Sequence, residues 1–316
     1  MAVWNTFSTP GNDGSSVQAS KPLQIPLSSQ AFWALFSPDE TRVAVLSQEA
    51  KVLIYGLTEG ELQRTWSVPG GASDLWFSND GKQLLVGGNE GRAIVWNIIT
   101  GESEWEYKFP EPRTLSVGFS PDGRLVALTQ ESGDALVFDR GSKRELARLD
   151  VPIIGGTLLK FSPDGKTIAA ASGETTIRIF DPQTGKLIAE NRDLLLETFD
   201  MAFSHDSKHL FAGGADGAIS ILDAETGRLL RSLPKRSGAA IFVLQVRSDG
   251  EAVLAVYNDA LDPRNPMPVC VWNVENATVT RTWEPGEIPV GAIWTHANQP
   301  LVASTTASTL RIERLS

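Results

Sequence analysis

The sequence predicts an all-β fold: a seven-bladed β-propeller of four-stranded antiparallel blades, the last blade closed by an N-terminal strand. Three observations carry this. The phrase "FSPDG" stands at 119–123 and 161–165, with looser copies at 36–40, 77–81 and 203–207, so that its aromatic residue recurs as Phe36, Phe77, Phe119, Phe161 and Phe203. That spacing of 41 or 42 residues marks a repeat architecture. Degenerate copies beginning at Val246 and Thr295 bring the units to seven. Between the turns the chain is rich in alternating and β-branched residues and carries no helical period.

Taken in order, a unit opens with its turn phrase, in which serine suits the first position of a type I turn, proline pre-sets φ, aspartate tolerates the third position and glycine closes. The preceding Phe packs inward. A loop type that recurs in every unit is what a scaffold needs, and this favours a structural turn over a phosphate or metal loop. After the turn come "KTIAAAS" (166–172), "TIRIFDP" (176–182) and "TGKLIAE" (184–190), and "ETFDMAF" (197–203) leads into the next Phe. Such a meander cannot bury both faces alone, so the units stack radially. The final unit offers "GAIWT" (291–295), "LVAST" (301–305) and "LRIERL" (310–315), and "KPLQIPL" (21–27) supplies its fourth strand. Residues 1–20 are expected to be a flexible segment and 21–316 a single propeller domain. The "VWN" at 3–5, which echoes 95–97 and 271–273, leaves open the stub of an eighth blade.

With 28 basic and 38 acidic residues the chain carries a net charge of −10. Counterion release then works against generic binding to nucleic acid or an anionic membrane, and neither is expected as a partner. The opening residues lack the basic and apolar regions of a secretory signal, and no run approaches the ~20 apolar residues that span a bilayer. Cys270 is the only cysteine, which leaves no internal disulfide and fits a reducing compartment. A soluble, cytoplasmic monomer is the expectation.

The recurring turn, together with the run that ends in Trp96-Asn97, Phe138-Asp139, Phe180-Asp181, Leu222-Asp223 and Trp272-Asn273, resembles the WD40 repeat family from about residue 22 onward. Tyr55-Gly56 and Glu313-Arg314 fill the same place loosely, and "DGAISILDAETGRLL" (216–230) is similar to the family consensus throughout. None of His205, His209 and His296 follows a glycine, so the Gly-His pair of the family's hydrogen-bonded set is missing. The divergent style looks more like a prokaryotic member. The resemblance implies the propeller and a role in protein interaction.

No nucleophile elbow, Walker loop, "HExxH" or "GxGxxG" occurs, and the histidines are scattered, so no enzyme, cofactor or metal is expected. Binding is expected where loops vary. A meander sends its first–second and third–fourth turns to one face and its second–third and crossing loops to the other. The first set is short and uniform, whereas the crossing loops differ widely, so their face is the candidate interaction surface for a protein or peptide. Its cations include Arg113, Arg192, Lys235 and Arg236. Trp66 and Trp283 both close an "RTW" ahead of a crossing loop and are read either as binding residues or as rim packing. The long connection "YNDALDPRNPMPV" (257–269) would display Asp259, Asp262 and Arg264, stiffened by Pro263, Pro266 and Pro268.

The expected function is a non-enzymatic interaction scaffold. The alternatives are a propeller enzyme or small-ligand sensor with its site at the channel mouth, or the sensory part of a larger signalling protein.

Overall fold

The computed structural model describes residues 22–109, 114–130, 133, 135–151, 158–172, 175–194, 197–236, 238–259, 266–283, 288–294, 300–306 and 308–314. Their 28 strands form seven sheets of four. Six blades are consecutive meanders, and within each the first strand is innermost and the fourth lies on the outer rim. Blade 7 takes Ile288–Trp294, Pro300–Thr305 and Thr309–Arg314 from the C-terminal end, and Leu23–Pro26 as its outer strand. Leu23 pairs with Ile312 and Pro26 with Thr309, antiparallel, which closes the ring.

The repeated phrase builds the same hydrogen-bonded object each time. In the turn at 119–123 the buried Ser120 hydroxyl donates to Asp122 Oδ1 at 2.6 Å and accepts the Leu125 N–H at 2.8 Å. Asp122 Oδ1 also accepts the Arg124 N–H at 3.0 Å. The second copy repeats this with Ser162, Asp164, Lys166 and Thr167 at 2.7, 3.1 and 3.0 Å. The aspartate is therefore the acceptor that organises the turn, a stronger role than tolerance of its third position. Gly165 sits at φ +70°, a region that costs a β-branched side chain of the order of 1–3 kcal/mol. Gly165→Val should therefore lower stability in chemical denaturation by that amount, with Lys166→Ala close to wild type. Equal losses would show that the turn is not under this constraint.

Apolar residues that alternate along the strands fill the seams between blades. Leu35, Ala44, Leu46, Leu75 and Leu84 meet between blades 1 and 2, and Trp76, Leu85, Val117 and Leu128 between blades 2 and 3. The last seam joins Ile25, Ala303 and Ile312 of blade 7 to Ala34, Val43 and Val45 of blade 1. Polar ties cross the same seams near the axis. Asp74 accepts from the Ser116 hydroxyl and the Val117 N–H of blade 3, and the Ser116 oxygen accepts the Leu159 N–H of blade 4. Asp200 of blade 5 accepts the Leu244 N–H of blade 6 at 2.8 Å.

The connection of unit six is shorter than its sequence implies. Strands Ala252–Asp259 and Pro266–Asn273 each run eight residues and absorb both ends of it, leaving only 260–265 between them. Pro266 pairs with Asn258 at the very start of its strand, a position where a missing N–H is tolerated.

Candidate functional site

Every innermost strand begins at the face that carries the crossing loops. In six blades its pairing slips by one residue near that end: between Ala31 and Trp33, Ala72 and Asp74, Thr114 and Ser116, Thr198 and Asp200, Ile241 and Val243, and Pro289 and Gly291. A bulge leaves one residue unpaired and re-aims its side chain. The residues left unpaired in the backbone register are Phe32, Ser73, Leu115, Phe199, Phe242 and Val290. Phe32 is 62% exposed, which is unusual for an aromatic residue on the innermost strand of a propeller. Phe199 and Phe242, from adjacent blades, are half-buried with ring centroids 5.2 Å apart and tilted by 36°. Ser73 instead donates to the Gly87 carbonyl at 3.1 Å. Aromatic surface thus stands at the crossing-loop end of the innermost strands of blades 5, 6 and 1, with blade 7 between the last two.

Some of the residues expected from sequence lie on the same face. Lys235 is exposed and Arg236 half-buried on the crossing from blade 5 to blade 6. The Arg236 N–H donates to the Gly217 carbonyl at 3.2 Å, and its guanidinium lies 3.6 Å from the buried Cys270 sulfur. Asp259, half-buried at the end of its strand, is in register with Ala239, three residues before Phe242. Arg192 is exposed and tied to Glu190 by contacts of 2.8 and 3.2 Å. Arg113, Asp262 and Arg264 lie outside the described residues.

The two rim tryptophans pack against neighbouring blades. Trp66 is buried, stacks on Trp96 with centroids 5.2 Å apart, and donates its indole N–H to the Gly101 carbonyl at 3.1 Å. It fills the seam toward blade 2 and is not presented to solvent. Trp283 is half-buried against the cluster of Val243, Leu254 and Val302 between blades 6 and 7. Both indoles sit where the next blade covers the end of an outer strand. Behind the mouth, Tyr257 is fully buried and accepts the Trp272 indole N–H at 2.9 Å, and burial raises its hydroxyl above the usual range.

Once the bulge register is known, Phe32, Phe199 and Phe242 can be followed through the sequence. Phe32 and Phe199 stand four residues before a turn Phe, as do Ser73, Leu115 and Thr157, and Phe242 stands four before Val246. The uniform turn face also holds more than scaffold. Clefts of about 640 Å³ between blades 3 and 4 and about 380 Å³ between blades 5 and 6 open on it, the second lined by His205 and His209. Among the described residues no three histidine, cysteine or carboxylate side chains converge as metal donors.

Residues 157–181 and 198–223, the inner three strands of blades 4 and 5, match the family model described as WD domain, G-beta repeat. That match and the ring of seven blades support a WD40 β-propeller. A Drosophila melanogaster protein named as a homolog of retinoblastoma-binding protein 5 is 29% identical over 119 residues, 37% of this chain and 24% of its own. An Arabidopsis thaliana protein named as a homolog of U3 small nucleolar RNA-associated protein 18 is 34% identical over 64 residues, 20% of this chain and 12% of its own. The matched stretches thus span a quarter or less of either relative.

Proposed function

We propose that this chain is a non-enzymatic scaffold that binds a polypeptide at the channel mouth on its crossing-loop face. The observation that carries the reading is Phe32, a largely exposed aromatic ring on an innermost strand, with the Phe199–Phe242 pair on the same rim. Folding gains nothing from such exposure, whereas aromatic side chains are the usual anchors of protein interfaces. Of the relatives' names, one points the same way, to a protein-binding protein, and the other to association with a small nucleolar RNA. For the present chain the net charge of −10 favours a protein surface over nucleic acid as the direct contact. A monomer in a reducing, cytoplasmic environment suits a self-closed ring whose only thiol is buried.

A photo-crosslinking residue placed at position 32 or 242 should capture the same polypeptide from native extract, and one at Lys166 on the turn face should not. Phe32→Ala and Phe242→Ala should each weaken that complex by about 1–3 kcal/mol, with Phe32→Ala leaving the melting temperature close to wild type. Capture from position 166 alone, or unchanged affinity in both variants, would place the contact elsewhere.

A further inference from the structure

The outer strands carry a second set of bulges. Their pairing slips at 62–64, 103–105, 145–147, 187–189, 229–231 and 279–281, which releases Gln63, Glu104, Leu146, Ile188, Leu230 and Thr280. In blades 1, 2 and 6 the released residue is polar and satisfied. Gln63 accepts from Arg42 at 3.0 Å, Glu104 accepts from Asn97 at 2.7 Å and lies 3.3 Å from Arg140, and Thr280 donates to the Val271 carbonyl at 3.2 Å. In blades 3, 4 and 5 it is Leu146, Ile188 and Leu230, exposed by 43%, 45% and 39%. Since three sister blades fold with polar residues at this place, folding does not require apolar ones in three adjacent blades.

Leu146 and Leu230 line the two clefts of the turn face, and the cleft around Leu146 is acidic. Around Leu146 stand Asp122, Asp139, Asp164 and Asp181 against Arg124 and Lys166. Around Leu230 stand Asp206 and Asp249 against Arg231, whose guanidinium is held by the carbonyls of Val274 and Glu275. Asp139, Asp164 and Asp206 are held in their charged form. The Ser142 hydroxyl holds Asp139 below the usual carboxylate range. Partial burial raises Asp164 and Asp206, yet hydrogen bonds from Ser162 and Ser204 bring both below it.

We propose that the turn-face rim of blades 3–5 is a second docking surface, for a basic polypeptide segment whose apolar side chains enter the inter-blade clefts. Its cations complement the aspartates of the turns, and its apolar groups cover Leu146, Ile188 and Leu230. This surface lies on the opposite face from the channel mouth and does not depend on it.

The probe is a fluorescent ten-residue peptide in which three leucines are spaced by lysines and serines, titrated into the full chain by anisotropy. Two controls carry glutamate for lysine, or serine for leucine. The lysine–leucine peptide should bind at least about tenfold more tightly than either control. The triple variant Leu146→Glu, Ile188→Glu, Leu230→Glu should weaken it by about tenfold or more, and Phe242→Ala should leave it unchanged. Thermal melts establish that the variant folds. If it does not, Leu146→Gln, which copies the polar residue of blade 1, should weaken binding by about threefold. Equal binding of the glutamate control, wild-type binding by the folded variant, or no saturation by about millimolar peptide would each overturn the proposal.

Discussion

Asp200→Ala should be among the most destabilising substitutions in this protein, at about 3–5 kcal/mol in chemical denaturation. The Asp200 carboxylate is fully buried, 3.2 Å from the equally buried Lys160 ammonium. Lys160 also lies over the face of Trp76, 4.8 Å from its centroid. Trp76 and Lys160 belong to blades 2 and 4, and at the matching place of blade 3 stands Gly118, which has no side chain to separate them. Burial pushes the Lys160 ammonium toward neutrality and the Asp200 carboxylate upward, and their mutual attraction opposes both shifts. Removing the carboxylate takes from the ammonium its nearest counter-charge, leaving the attraction of Asp74, and strands the Leu244 N–H that donates to Asp200. The double variant Lys160→Met, Asp200→Asn removes both charges and keeps an acceptor for Leu244, so it should be more stable than Asp200→Ala. A loss below about 1 kcal/mol in Asp200→Ala would show that the pair does not hold blades 4, 5 and 6 together.

The repeat, the turns and the shared blade were legible because each rests on local chemistry that recurs. Ser-x-Asp specifies a hairpin wherever it stands, and five copies at a spacing of 41 or 42 residues leave few folds open. Side-chain exposure was less legible because it depends on what the adjacent blade covers. "RTW" ahead of a loop is consistent with exposed indoles, yet Trp66 is roofed by Trp96 and the turn at Gly101. The prolines of 263–268 argued for a loop, whereas Pro266 opens a strand. Neither set of bulges could be found without the pairing register. Once register is known, Phe32 and Leu146 separate from the core residues beside them, and the positions can be followed through the sequence at the repeat spacing.

That register also fixes what the N-terminal strand contributes. Removing residues 1–28 should lower stability sharply, whereas removing 1–18 should leave it near wild type. The first truncation takes away Leu23–Pro26, which pairs with residues 309–312 of the strand Thr309–Arg314. Ile25 and Leu27 are buried in the seam that joins blade 7 to blade 1, and losing them forgoes about 3–6 kcal/mol of apolar burial. The exposed edge of Thr309–Arg314 would then offer unpaired backbone groups to other chains, so the longer truncation should also associate in sedimentation. A synthetic peptide of residues 21–30, added in excess, should restore the melting temperature by re-forming the fourth strand. Two truncations that melt together, with no response to the peptide, would mean that the ring is held shut without Leu23–Pro26.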